Sequence, residues 1–378
     1  MSFTTSVTNL PPKKPKLDGI PAHWADDVPS KFQNPWDSWR SYPPADRIVP
    51  YMAFTVKNPT YPNPQKVPLA PVRAPNWYEY QKEEMKPKIK STWLGHACFL
   101  LELPTTESNR RGARILFDPV FSKRCSSSQV VGPKRYTPAP CKIEDTPDID
   151  AIVISHDHYD HMDADTLKNI YERPHKPLVF APLGNEHFLK TVAKAPKENV
   201  HIMDWWESKH VEVKLPSSTF SFDVTCTPCQ HFTGRTLWDD FQTLWSSWAV
   251  ESAGVKVYFA GDTGYRAVGD GEDEDRVPTC PVFREIGCVF GSFDFAMIPI
   301  GAYQPRKVMS PIHCAPQDSV RIYQDINARK ALGMHWGTWM LTTEPVDEPP
   351  KKLAEACKKA GIPDGDFTVC DIGETRFW

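Results

Sequence analysis

The chain has 378 residues, 40% of them hydrophobic, and a formal net charge of −3. That size suits one large domain with an extension, and the hydrophobic share supports a sizeable core. The mild acidity excludes a protein that holds nucleic acid by bulk electrostatics.

Residues 1–85 are rich in proline, yet they contain "FQNPWDSW" and "APNWYEY". Tryptophans are unusual in a disordered tail. The expectation is an extended N-terminal arm whose aromatics anchor on a main domain, residues 86–378, with the first twenty or so residues loose. "PPKKPKL" could serve as an import signal, although lysine between prolines reads first as a solvated tail. The start has no apolar h-region, so the ten cysteines are expected as free thiols in a reducing compartment. No apolar run approaches the ~18 residues that span a bilayer. Membrane contact is therefore expected to be peripheral.

From Ile89 the texture changes. "IKSTWLGHACFLLEL" reads as a strand, "ARILFDPVF" as a short strand ending in Asp-Pro, and "DIDAIVIS" as another. Residues 165–171 read as a helix. "PLVFAPL" is a strand and "NEHFLKTVA" a helix. "STFSFDVTCTPCQH", "LWSSWAVES", "GVKVYFAGDTGY" and "DFAMIPIGAY" are strands. "APQDSVRIYQDI" is a helix, "KALGMHWG" a strand, "EPPKKLAEACKKAG" a helix and "DFTVCDIGETRFW" a closing strand. Strands dominate early and helices intersperse later. The fold class is α+β, an αββα sandwich of two sheets with helices outside.

One loop carries the chemistry. In "DAIVISHDHYDHMD" an apolar strand ends in His156-x-His158-x-Asp160-His161. In an extended segment residues i and i+2 point the same way, so His156 and His158 converge on one cation. Asp160 and His161 follow where the chain turns, and reach a second. Imidazole and carboxylate suit zinc, and iron and manganese accept the same set. Four groups cannot fill two metal shells. Three later strand ends supply the rest: His231 after "VTCTPCQ", Asp262 in "VYFAGDTGY" and His335 in "ALGMHWG".

These residues, with "WLGHACFLLEL", "DPVFSKRCS", "GPKRYTPAP", "SHDHYDHMD", "CQHFTGRTLWDD", "PIGAYQPR" and "HWGTW", resemble the metallo-β-lactamase superfamily. More closely they resemble its N-acyl-phosphatidylethanolamine phospholipase D family. The likeness runs from about Trp93 to the C-terminus, and "FQNPWDSW" carries it into the arm. It implies two zinc ions. One takes His156, His158 and His231, the other Asp160, His161 and His335, and Asp262 bridges them. It further implies a hydroxide between the metals that attacks phosphorus, giving N-acylethanolamine and phosphatidic acid. It gives His313, in "MSPIHCAP", a place near the metals, where it contacts phosphate or protonates the leaving oxygen.

Other residues carry two readings. Tyr159 either lines the site or packs beneath the loop. His96 is expected to hydrogen-bond a ligand, and Asp118 to support one. "CTPC", Cys226 to Cys229, has redox spacing but lies in a strand, and reads as structural. Lys134 and Arg135 in "GPKRY" either meet anionic lipid headgroups or belong to a solvated loop. "GDGEDEDR", residues 269–276, reads as a solvated acidic insert. The expected partners are a membrane phospholipid substrate and a membrane surface, with no nucleic acid; a homodimer is compatible with the sequence. The expected location is intracellular, cytoplasmic or peripheral to a membrane, with mitochondrial or nuclear sites left open. The alternative function is a soluble dizinc hydrolase of another ester, lactone or phosphodiester.

Overall fold

A computed structural model describes residues 4–15, 19–58, 61–63, 65–105, 111–215, 218–236 and 238–378. The strands, in chain order, are β1 (Thr4–Leu10), β2 (Lys90–Gly95), β3 (Cys98–Glu102), β4 (Arg114–Phe117), β5 (Ala151–Val153), β6 (Leu178–Pro182) and β7 (Val200–Met203). They continue as β8 (Ser208–Leu215), β9 (Ser218–Thr227), β10 (Ser247–Ser252), β11 (Val255–Phe259), β12 (Phe295–Pro299), β13 (Ala331–Met334), β14 (Phe367–Thr368) and β15 (Thr375–Phe377). The α-helices are α1 (Pro44–Lys57), α2 (Ala164–Glu172), α3 (Glu186–Thr191), α4 (Val282–Phe290), α5 (Arg306–Met309), α6 (Pro316–Asp325) and α7 (Glu348–Lys359).

Two sheets face each other. One has the order β1-β8-β9-β10-β11-β12-β13-β14, the other β15-β2-β3-β4-β5-β6-β7. The central strands are buried on both faces, so they read as continuous apolar runs rather than alternating ones. Alternate residues serve different layers. Phe99, Phe117, Val153 and Phe180 point into the space between the sheets, where Phe117 meets Phe259 with ring centroids 4.8 Å apart. Their neighbours Leu100, Leu116, Ile152 and Val179 point outward onto α2 and α3. Helix α2 answers with Leu167, Ile170 and Tyr171, the i, i+3, i+4 stripe of an amphipathic helix. Its start is set by Asp163, whose carboxylate accepts from the Asp165 N–H. On the other sheet, α4 and α6 bury Phe283, Ile286 and Ile322.

Several expectations change. "IKSTWLGHACFLLEL" is a hairpin, because the chain reverses at Gly95 and His96, both with positive φ. "DFTVCDIGETRFW" splits into β14 and β15, one in each sheet. Residues 4–10 are not loose: β1 pairs antiparallel with β8 from Thr4 to Leu10. Lys16 and Leu17 of "PPKKPKL" lie outside the described residues. Helix α1 was hidden in the proline-rich arm, since it contains Pro50. The acidic insert is not a free loop: Asp270 pairs with Lys307 at 2.8 Å and Glu272 with Arg40 of the arm at 2.6 Å. Glu274 and Asp275 face Arg306, Arg321 and the buried Arg266.

Candidate metal centre

β2, β4 and β5 run parallel, as do β9, β11, β12 and β13, with β3 and β10 reversed between them. The C-terminal ends of those strands therefore share one edge of the sandwich, and the turns that follow them converge. β5 leads to His156, His158, Asp160 and His161; β9 leads to His231; β11 to Asp262; β13 to His335; β2 to His96.

The ligand loop is pinned from below. The Ser155 N–H and hydroxyl both donate to the Asp118 carboxylate, at 2.7 and 2.6 Å. The indole N–H of Trp248, on the opposite sheet, donates to the Ile154 carbonyl at 3.0 Å. Arg235 clamps the loop from above by donating to the carbonyls of Asp157 and Met162. Gly261, with φ 58°, lets the Asp262 turn approach: a Cβ there would lie 2.6 Å from Ser155 Cβ and 2.9 Å from the Ser246 carbonyl. His96, Asp118 and His335 also hold positive φ angles of 54°, 38° and 63°. Backbone held in such sparsely populated regions costs of the order of 1–3 kcal/mol per residue and is tolerated where surroundings enforce it.

Hydrogen bonds on the outer ring nitrogens decide which nitrogen faces inward. Because the Ser155 hydroxyl donates to Asp118, it accepts from His156 Nδ1 at 2.8 Å. His161 Nδ1 donates to Asp118 at 2.7 Å, and His231 Nδ1 to the Ile312 carbonyl at 2.7 Å. The inner nitrogens then carry lone pairs, the arrangement that metal-ligating histidines adopt.

The inner atoms form two cradles. His156, His158 and His231 bring three nitrogens within 4.8 Å of one another, and Asp160, His161 and His335 do the same with His96 beside them. Asp262 stands between. Its Oδ2 lies 3.0 Å from Nε2 of both His161 and His335, and 3.9 and 3.8 Å from Nε2 of His156 and His231. His161 Nε2, His335 Nε2 and Asp262 Oδ1 are buried with no hydrogen-bond partner among the described residues. Buried polar atoms are normally paired, so such convergent orphans fit cations.

Charge agrees with this geometry. Burial holds His156 well below its ordinary value, and brings His158 down to about 4 and His231 to about 3. Burial opposes the Asp160 and Asp262 carboxylates, yet the surrounding histidines hold both well below the usual range. Burial likewise opposes charge on His161 and His335, but Asp262 and Asp160 outweigh it, raising His161 strongly and His335 to about 9. The two carboxylates thus demand positive charge. Protons meet that demand at His161 and His335, and cations placed between the same groups meet it better while releasing those protons.

All seven residues expected as metal ligands converge here. His313 joins them, with Nδ1 3.9 Å from Asp262 Oδ2, and lies in the turn after α5. His96 Nε2 lies 2.9 Å from Asp160 Oδ2, and Asp118 buttresses the loop as described. Tyr159 packs beneath the Arg235 guanidinium, 3.9 Å from its ring centre, so it supports the clamp. Arg135 turns inward instead of toward solvent. It donates through Nε and Nη2 to the carbonyls of Ser122 and Val120 and stacks 4.3 Å over Trp339, while Nη1 is buried with no partner among the described residues. Lys134 is exposed. Cys226 and Cys229 are buried, free and in or just after β9. Arg235 and Asp157 were missed: "HDH" and "TGRT" are 70-odd residues apart, and no local pattern joins them.

A cleft of about 220 Å³ opens beside the cradles. His158 and His313 form its polar end, and Phe232, Met309, Ile312 and Leu341 are among its apolar walls. Ile48 and Tyr51 of α1 close its rim.

A family profile described as "Beta-lactamase superfamily domain" matches residues 113–336. N-acyl-phosphatidylethanolamine-hydrolyzing phospholipase D 1 of Caenorhabditis elegans is 35% identical over 352 residues, 91% of each chain. The chain belongs to the N-acyl-phosphatidylethanolamine phospholipase D family of the metallo-β-lactamase superfamily. Like others of that superfamily it is a hydrolase. A second family member, the Saccharomyces cerevisiae protein named as the mitochondrial form of this phospholipase D, is 32% identical over 298 residues, covering 78% of this chain and 57% of its own. Among solved structures, a possible metal-dependent hydrolase from Veillonella parvula matches with TM-score 0.53 and 19% identity, over 76% of this chain and 98% of its own. The isothiocyanate hydrolase from Delia radicum gut bacteria matches with TM-score 0.51 and 16% identity, over 76% and 98%. At those identities the likeness is one of fold.

Proposed function

We propose that this family member is a zinc-dependent phosphodiesterase of the phospholipase D type, which hydrolyses N-acyl-phosphatidylethanolamine to N-acylethanolamine and phosphatidic acid. The observation that carries the reading is the pair of three-donor cradles sharing Asp262, set beside a cleft whose walls are mostly apolar. A headgroup phosphate suits the polar end and an acyl chain the walls. The relatives named for this substrate supply the chemical class.

The donor set, five imidazoles and two carboxylates, suits zinc. His156, His158 and His231 would hold one ion, Asp160, His161 and His335 the other, with Asp262 between. Two such ions supply Lewis acidity toward the phosphoryl oxygens and lower the pKa of water to near neutrality. In the hydrolysis a water oxygen bonds to phosphorus, and the bond from phosphorus to the ethanolamine oxygen breaks. Asp160 is held by His96, and Asp118 holds His161 directly and His156 through the Ser155 hydroxyl, so these ligands stay aimed as charge develops. His313 lines the cleft next to His158 and is kept neutral by burial, so it offers an N–H to a phosphoryl or leaving-group oxygen. The phenyl ring of Phe232, 4.6 Å from His158, excludes water from one side.

The lipid reading also draws on α1. Ile48, Val49, Met52 and Val56 are exposed on that helix, Val56 to 78%, and Ile48 lies at the rim of the same cleft. No helix among the described residues is long and apolar enough to cross a membrane. An exposed apolar helix face rimming the cleft suits peripheral contact with a bilayer from which the substrate is drawn.

The test is incubation of purified protein with liposomes containing N-acyl-phosphatidylethanolamine, with products identified by mass spectrometry, before and after chelation and zinc restoration. The expected products are N-acylethanolamine and phosphatidic acid in equal amounts, abolished by chelation. Cleavage of a bis-aryl phosphate with no phospholipid turnover would assign the centre to another ester instead.

A further inference from the structure

"FQNPWDSW", residues 32–39, is the part of the arm that the catalytic reading leaves without a role. Phe32 and Ser38 are each only 2% exposed. The Phe32 N–H donates to the Phe241 carbonyl, Trp36 stacks on Trp205 at 5.5 Å, and Trp39 packs against Val308, Met309 and Ile312. The segment therefore wraps the turns that carry His231 and His313.

Its polar side chains reach those turns directly. Asn34 Nδ2 donates to the backbone carbonyl of His231 at 2.7 Å. The Ser38 hydroxyl donates to Gln230 Oε1 at 2.5 Å. Gln230 is fully buried and ties the segments of His231 and Asp262 to the one that carries His313. It precedes His231. Its N–H donates to Thr263 Oγ1 at 2.9 Å and its carbonyl accepts from the Gly264 N–H at 2.7 Å, both beside Asp262. Its Nε2 donates to the Pro311 carbonyl at 2.9 Å. That segment in turn supplies the Ile312 carbonyl that orients His231 Nδ1. Gly264 sits so close that a Cβ there would be 2.1 Å from the Pro311 oxygen.

A side-chain amide has one accepting oxygen and one donating nitrogen, and its orientation is set by partners on each side. Ser38 supplies the donor that Oε1 requires, which leaves Nε2 facing Pro311. Without that hydroxyl, a buried carbonyl oxygen loses its partner, and only the Nε2 bonds to the Pro311 and Ser38 carbonyls, at 2.9 and 3.4 Å, still orient the amide.

We infer that Asn34 and Ser38 of the N-terminal arm are positioning residues for the metal centre, holding the His231 cradle in register with Asp262 and His313. The inference rests on the reading of His231 as a metal ligand. Supports one layer behind a ligand typically change metal affinity by about 10- to 100-fold. The affected cradle is the one that His231 completes with His156 and His158, while the other, of Asp160, His161 and His335, takes no residue from the turn after β9.

The experiment titrates the metal-depleted full-length chain with zinc against a competing chelator, and with cobalt(II) to record the ligand-field spectrum. Wild type is expected to take two tightly bound ions, and His231→Ala one. Asn34→Ala and Ser38→Ala are each expected to keep two sites but to weaken one by about tenfold or more, with a changed cobalt spectrum for that site. Ser38→Thr, which keeps the hydroxyl, restores it. Lys13→Ala removes an arm contact with Glu251 far from Gln230 and is expected to match wild type. Asn34 is half-buried, so its variant decides the matter even if Ser38→Ala unfolds. Wild-type affinity at both sites in Asn34→Ala, or equal weakening in Lys13→Ala, overturns the inference while leaving the metal reading intact. A wild type that binds no zinc overturns both.

Discussion

Asp118 Oδ2 lies 2.7 Å from His161 Nδ1 and 2.6 Å from the Ser155 hydroxyl that in turn meets His156. One buried carboxylate thus sets the ring orientation of a histidine in each cradle. Asp118→Asn keeps the size but lacks the second acceptor oxygen that this arrangement uses. Zinc affinity at both sites is expected to fall by about 10- to 100-fold, read by chelator competition. Unchanged affinity would mean that the loop backbone alone orients the rings.

His158, a proposed ligand, faces the cleft and turns Nδ1 toward His156 Nε2 at 2.8 Å. Its removal takes a donor from the first cradle and leaves the core intact. His158→Ala is expected to lower hydrolysis by at least about a thousandfold while the melting temperature of the metal-free protein shifts by only a few degrees. Calorimetry and a product assay together check this. Retained turnover in the metal-free variant would contradict the proposed chemistry.

The apolar face of α1 is separable from the cradles. Met52→Glu and Val56→Glu place charge on exposed positions of that helix. Flotation with liposomes is expected to drop several-fold, and phospholipid turnover with it. Cleavage of a water-soluble bis-aryl phosphate should stay within twofold of wild type. Point changes serve better than deletion of residues 1–85, because the arm also touches Gln230 and His231.

Acid sensitivity is expected from His201 on β7, which stacks on Phe180 at 5.1 Å with Nε2 buried and unpaired. Burial pulls this imidazole down to about 4, with Lys209 acting in the same direction. In the unfolded chain it titrates near 6.5. Between those values the unfolded state binds the extra proton, so His201 leaves stability intact above about pH 6.5 and erodes it as pH falls toward 4. Urea unfolding at pH 7 and pH 4.5 should show a smaller loss for His201→Phe than for wild type. Equal losses would exclude the assignment.

The short period of the ligand loop was enough to reveal metal chemistry. Alternation places His156 and His158 on one side of an extended segment whatever the fold, and apolar runs ending in His231, Asp262 and His335 show that strands deliver them. The residues that converge in the two cradles and the two-sheet architecture were therefore legible before any coordinates. Local pattern could not reveal what depends on residues far apart in the chain. The hairpin at His96 depends on backbone angles that sequence leaves open, and the closing segment splits between sheets because each half pairs with a different distant strand. Arg135 reads as a surface cation until the carbonyls of Val120 and Ser122 and the ring of Trp339 are brought around it. The arm is the clearest case. Its prolines suggest an appendage, but Asn34 and Ser38 reach partners almost two hundred residues away, and only packing creates those contacts. Periodicity is a property of neighbours along the chain, whereas a buried polar partner is a property of the folded interior.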